Sequence, residues 1–268
     1  MFHHPSEDDL KRFADRIRLD AVKMVQPHGF GYLGQALSAA EVIAAVYLTA
    51  YRPDVDQIVC SPGHYIIVNY AAAAETGRLD RRLLETYGHE DSTLEAIGTE
   101  RSPGIDLTCG SLGTGLSGAV GFALANRLAG DNEARVFALT SDGELEEGQT
   151  WEAAIFAAHH KLDRLIVLVD ANNSQVDGPV TSITTLEPIA AKWTAFGWDV
   201  HDVDGHDALA IADALTEAMH AERPSIVIAR TSTVHGLDVL PPDDDGHFIK
   251  LPAELAKAAI NELEARLA

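Results

Sequence analysis

The chain has 268 residues, 46% of them hydrophobic, which is enough for one large α/β domain with a substantial core and requires no second domain. Its 41 acidic against 20 basic side chains give a net charge of −21, a field that repels nucleic acid and anionic membranes, so an anionic ligand has to be held by a local site. Two cysteines without disulfide spacing (Cys60 and Cys109), no charged-then-apolar leader and no apolar run of about 18 residues point to a reduced, soluble, cytoplasmic protein.

Residues 1–6 read as a frayed terminus, the His3–His4 pair included. Residues 7–25 carry Leu10, Phe13, Ile17, Val22 and Val25 at near-helical intervals and should form an amphipathic helix that ends before Pro27. A glycine-rich loop follows over 28–37, after which Ser38 and Glu41 read as the capping box of a helix running to about Tyr51. These helices, and a C-terminal one over 252–267, should pack on a single domain spanning 1–268. A short strand over 57–60 runs into Ser61-Pro62-Gly63-His64, with an Ala-rich helix over 65–76. His64, between a strand end and a helix, suits contact with an anion; a solvated or capping histidine is the plainer alternative. Residues 78–103 are polar and without clean periodicity. The glycine-rich run 108–121, leading into a helix over 119–128, costs chain entropy to order, so either a close backbone approach to a ligand or tight helix packing accounts for it.

The centre of the chain is a strand–helix–strand unit. Residues 135–140 and 165–169 are β-branched or aromatic apolar runs that read as buried parallel strands, and the Ala-rich segment 151–162 supplies the crossover they require. A helix over 183–196, a strand over 199–203, a helix over 206–222 and a strand over 225–231 continue the alternation, and 234–250, with Pro241-Pro242 and three aspartates, is loop. The expected fold is therefore a doubly wound, mostly parallel sheet flanked by helices. Strands so arranged end at one edge of the sheet, where α/β proteins bind ligands, and this makes Asp142 and Asn172 neighbours in space. A carboxylate oxygen, an amide oxygen and a backbone carbonyl from the turn at Asn173-Ser174 suit Mg²⁺, whose shell phosphate oxygens and water complete. The Gly143 amide can approach a phosphate without a side chain in the way. Taken singly, Asp-Gly and Asn-Asn are ordinary turns after strands; paired at both ends of one crossover they read as a Mg²⁺-diphosphate site.

Here S-D-G-E-L-E-E-G-Q-T-W-E-A from Ser141 and V-D-A-N-N-S-Q-V-D-G from Val169 resemble the thiamine diphosphate binding signature, an Asp-Gly followed at this distance by Asn. In detail the chain looks like the N-terminal half of transketolases encoded as two polypeptides. Further blocks carry the resemblance in order: S-P-G-H at 61–64, P-G-I-D-L-T-C-G-S-L-G-T-G-L-S at 103–117, G-W-D-V and D-G-H-D within 197–207, and P-S-I-V-I-A-R-T at 224–231. The resemblance implies thiamine diphosphate and Mg²⁺ as cofactors, with the metal on Asp142, Asn172 and the Ser174 carbonyl. His64 and Gly143 would meet the diphosphate, and Gly110 and Leu112 the aminopyrimidine ring. His247 would stand near the mouth of the site. Glu147 and Glu152 would face across a subunit interface towards a second cofactor; from spacing alone they make a charged helix face, since residues five apart share no stripe. Glu144 and Glu146 read as solvated.

Two departures bear on substrate. The family's Gly-His-x-Gly is Gly31-Tyr32-Leu33-Gly34 here, and a phenol does not shuttle protons near neutral pH as a histidine does. A second family histidine falls at about Ala96, and His89 aligns with it only across a gap. An altered donor or acceptor is expected: a deoxy or non-phosphorylated sugar, or an acyl unit from a 2-oxo acid. The glutamate that activates the cofactor lies, in the family, on a domain this chain has no room for, so a second subunit bearing the pyrimidine-binding domain is expected, two of each. The alternatives are a non-catalytic or regulatory module on the same fold, a decarboxylating 2-oxo acid acyltransferase subunit, and a nucleotide-binding protein, which would lack both glycine-loop signatures.

Overall fold

Short, continuous β-branched and aliphatic runs of the chain form the middle of one parallel sheet, as they must when helices cover both faces. A computed structural model describes residues 5–241 and 246–268; the His3–His4 pair and the aspartates at 243–245 lie outside these. The sheet has six strands: β2 (Gln57–Pro62), β3 (Leu107–Cys109), β4 (Val136–Ser141), β5 (Leu165–Ala171), β8 (Asp199–Asp204) and β9 (Ser225–Arg230). Their order is β3-β2-β4-β5-β9-β8, every neighbouring pair parallel. The remaining strands are two-residue pieces: β1 (Phe30–Gly31) pairs with β10 (Ile249–Lys250), and β6 (Ser174–Gln175) with β7 (Gly178–Pro179).

Side chains alternate across this sheet, and each set has its own helical layer. Ile58, Phe137, Leu139, Ile166, Leu168 and Val227 point to one face, against α1 (Glu7–Val25), α3 (Ala40–Ala45), α4 (Ile66–Glu75) and α9 (Ala208–Ala218). Val59, Val136, Ala138, Val167, Val169 and Ile226 point to the other, against α5 (Thr114–Ala129), α6 (Gly148–His159) and α8 (Ile189–Phe196). The chain leaves β2 towards β3 and leaves β4 towards β5, so the winding reverses between β2 and β4. Ligands of doubly wound folds bind beyond the strand ends at such a reversal. Ser61, Asp142 and Asn172 all stand there.

Several expected elements moved. Ser38 does not cap a helix over 38–51: residues 33–38 are themselves helical (α2, Leu33–Ser38), and the serine's hydroxyl turns inward to Asp170. Glu41, 5% exposed, is drawn into an ion pair with Arg18 of α1 instead of reaching back along its own helix. The capping box that does form is at α1, between Ser6 and Asp9. The helix expected over 183–196 is two pieces, α7 (Val180–Ile183) and α8, separated at Pro188, whose predecessor is biased against helical geometry. Strand β3, hidden in sequence at the head of the glycine-rich run, adds an edge to the sheet. Helix α5 starts at Thr114, ahead of the expected 119, because Gly115 lies against β2: a Cβ there would sit 2.5 Å from the Ser61 Cα. The chain closes with α10 (Ala253–Leu267), packed on α1. Both cysteines are free thiols, and among the described residues no helix is long and apolar enough to cross a membrane.

Candidate metal and diphosphate site

Parallel pairing sets Ser141 opposite Asp170, so the turns after β4 and β5 leave the sheet side by side. Asp142, 4% exposed, accepts the Gly143 amide on Oδ1 at 2.9 Å and the Asn173 amide on Oδ2 at 2.6 Å. Burial pushes its carboxyl up to about 7; the Asn173 amide pulls the other way and Asp170 adds to the rise. A buried carboxylate whose partners are amides and a second acid is a place that favours a cation.

Asn172 is oriented from both ends. Its Nδ2 donates to Asp170 Oδ2 and Tyr65 Oη, both at 2.9 Å, and its Oδ1 accepts the Ser174 amide at 2.9 Å. Asn173 between them adopts the left-handed conformation, φ 58°, which asparagine tolerates and which folds the turn tightly enough for that contact. The Asn173 carbonyl and side-chain oxygen accept the Val180 and Thr181 amides, which braces the turn against α7. Ser174 Oγ is buried without a hydrogen-bond partner. The carboxylate, the amide oxygen and the carbonyls of this turn are a hard-oxygen set that fits Mg²⁺.

A second group of expected residues meets a short distance away. Tyr32 caps α2, and its ring centroid lies 5.1 Å from that of His64, 5.9 Å from His247 and 5.2 Å from Phe248. His64 is pushed down to about 3 by burial and by the nearby His247, so it acts as a neutral imidazole. Gln35 binds His247 through both its ring nitrogen and its carbonyl, at 3.3 and 3.0 Å. Close approach of α2 to this segment needs Gly34, where a Cβ would fall 1.9 Å from the Gly246 carbonyl oxygen. Tyr65, next to His64, links the two groups through its bond to Asn172.

Glu144 is not solvated. It is fully buried, and its Oε1 accepts the Ser61 hydroxyl at 2.5 Å and the Gly113 amide at 2.7 Å, which ties the loop carrying Gly110 and Leu112 to the ends of β2 and β4. Burial pushes Glu144 up to about 7 against the pull of those two donors. Glu147 and Glu152, by contrast, are exposed on the first turns of α6, on the side that also exposes Ile155 and Phe156. On the other side of Asp142 a cavity of about 310 Å³ runs past Val180, Thr184 and Glu187 to Arg230, whose guanidinium is already paired with Asp202 and Glu187.

Sequence reasoning missed Asp170, Tyr65 and the inward role of Ser38. A signal for the first was present: an acid inside a strand that is otherwise apolar and buried on both faces needs several donors. Among the described residues, one group of acids and histidines is spaced closely enough to hold a metal ion, Glu41 with His206 and His235. There the Arg18 guanidinium holds Glu41 Oε2, and His206 Nε2 accepts the Ser232 amide, so its protonated Nδ1 faces the carboxylate.

The sequence model of the family described as "Transketolase, thiamine diphosphate binding domain" matches residues 10–266. An uncharacterised transketolase family protein of Sinorhizobium fredii is 42% identical over 257 residues, covering 91% of this chain and 92% of its own length. The 6-deoxy-6-sulfo-D-fructose transketolase subunit SqwG of a Clostridium species is 38% identical, with 96% of each chain covered. The transketolase of Campylobacter jejuni superposes with a TM-score of 0.87 at 27% identity, over 96% of this chain and 43% of that one. The chain belongs to the transketolase family and carries its thiamine diphosphate-binding domain.

Proposed function

We propose that this chain is the diphosphate-binding subunit of a thiamine diphosphate- and Mg²⁺-dependent transketolase that works with a second polypeptide. The observation that carries this reading is the buried Asp142 carboxylate, met by backbone amides and set beside an asparagine whose oxygen is fixed in direction. In this reading Asp142, Asn172 Oδ1 and the Ser174 carbonyl hold Mg²⁺, and the Gly143 amide and neutral His64 bind diphosphate oxygens. Gly110 and Leu112, on the loop anchored by Glu144, receive the aminopyrimidine ring. Held there, the coenzyme would supply the carbanion equivalent that cleavage of a ketose carbon–carbon bond and transfer of the fragment require. Tyr32 and His247 line the entrance, where they orient the substrate's hydroxyls. Glu147 and Glu152, exposed here beside Ile155 and Phe156, face the partner assembly.

A partner is supported by the near end-to-end match with a protein named as a transketolase subunit. The activating glutamate comes from that partner, in an assembly of two of each. Tyr32 in place of histidine, and a relative named for a sulfonated deoxy sugar, support a donor other than the usual phosphorylated ketose. The purified chain with Mg²⁺, thiamine diphosphate and ketose donors should transfer nothing until a partner subunit with a pyrimidine-binding domain is added. Full turnover by the chain alone would refute the division of labour.

A further inference from the structure

Asp170 has 0% exposure and gathers four donors. Ser38 Oγ at 2.5 Å, Tyr65 Oη at 2.9 Å and Asn172 Nδ2 at 2.9 Å converge on its Oδ2, and the Thr231 hydroxyl donates to Oδ1. We infer that Asp170 is a positioning residue that dictates which end of the Asn172 amide faces the metal. The inference rests on the Mg²⁺-diphosphate reading given above.

A carboxamide presents oxygen or nitrogen with nearly the same shape, and only its neighbours decide between them. If Asn172 were flipped, its oxygen would face Asp170 Oδ2 at 2.9 Å, acceptor against acceptor, and its nitrogen would face the Ser174 amide, donor against donor. As placed, one Nδ2 hydrogen goes to Asp170 and the other to Tyr65, whose own hydroxyl donates to Asp170. The oxygen is then left with one lone pair for the Ser174 amide and one for a cation. The flipped amide would offer an N–H to the metal and abolish that ligand. Ordering of this kind, by groups one layer behind the ligand, normally changes metal affinity by about tenfold to a hundredfold. Through Ser38 and Thr231 the same carboxylate fastens α2 and the end of β9 to the metal turn, so the ligand's direction is set by the sheet itself.

The test is Mn²⁺ binding by the full chain with thiamine diphosphate, followed by paramagnetic relaxation of water, with melting curves for every variant. Asp170→Ala should weaken Mn²⁺ about tenfold to a hundredfold, because the Asp170 acceptor that opposes the flip is gone and the Ser174 amide alone stands donor against donor. Asn172→Asp should also weaken it, since two carboxylates then abut at the 2.9 Å contact. The exchange Asp170→Asn with Asn172→Asp should recover about tenfold or more over Asn172→Asp alone, since an aspartate at 172 has no wrong orientation and the new amide at 170 donates to it. The exchange conserves shape, so it decides the matter even where Asp170→Ala fails to fold. Wild-type affinity in a folded Asp170→Ala, or no recovery in the exchange, overturns the inference. A wild-type chain that takes up no Mn²⁺ with the coenzyme overturns the functional reading beneath it.

Discussion

The proposed metal turn and the mouth of the candidate site are built by opposite means. At the turn after β5, each polar atom of Asn172 has its assigned partner, and the one acid behind it, Asp170, is satisfied by Ser38, Tyr65 and Thr231 as well. At the mouth, Tyr32, His64, His247 and Phe248 meet through ring faces and edges 5.1 to 5.9 Å apart, contacts that constrain shape more than hydrogen-bond direction. Built this way, the turn should accept only those changes that restore its pairing of donors with acceptors. The mouth, held mainly by ring packing, should keep its shape when one ring replaces another.

The contrast breaks most visibly if the turn proves tolerant. Asp142→Ala should lower coenzyme and Mg²⁺ affinity by more than about a hundredfold, beyond what residues behind a ligand cost, as read by isothermal titration. The corner that carries the mouth is fixed from behind by Arg18, which binds the Leu37 carbonyl at 2.9 Å and Glu41 Oε2 at 2.5 Å. Glu41→Gln leaves that buried guanidinium underpaired and should cost about 3 kcal/mol in denaturant unfolding at neutral pH. Burial alone would push Glu41 up, but the Arg18 charge and the His206 and Arg18 hydrogen bonds outweigh it and carry the group down to about 2, from an ordinary 4.5. A depressed acid stabilises the fold above its unfolded value and loses that contribution as pH falls. The gap between wild type and Glu41→Gln should therefore be full above about pH 4.5 and narrow towards about pH 2. The smallest effect belongs to the mouth. Tyr32→His should change stability by less than about 1 kcal/mol and leave coenzyme affinity intact, while the pH–rate profile of the assembled enzyme gains an ionisation near a histidine's ordinary value of about 6.5.

The parallel sheet was legible because burial on both faces writes itself as continuous apolar runs, and the positions of Asp142 and Asn172 followed from where those runs stop. What the sequence hid was long-range: Ser38 and Glu41 satisfy the local spacing of a capping box, yet partners 132 and 23 residues away claim them. Local patterns are weak wherever a buried polar group can reach across the fold. Glu144 was misread for the same reason, since five acids between 142 and 152 look like a solvated cluster until the approach of Ser61 and Gly113 is known.

The most direct test is the anomalous signal of Mn²⁺ in crystals of the full chain grown with thiamine diphosphate. The peak should lie among Asp142, Asn172 Oδ1 and the Ser174 carbonyl, with diphosphate oxygens completing the shell. A peak at Glu41, His206 and His235, or an Asn172 that turns its nitrogen to the ion, would contradict it.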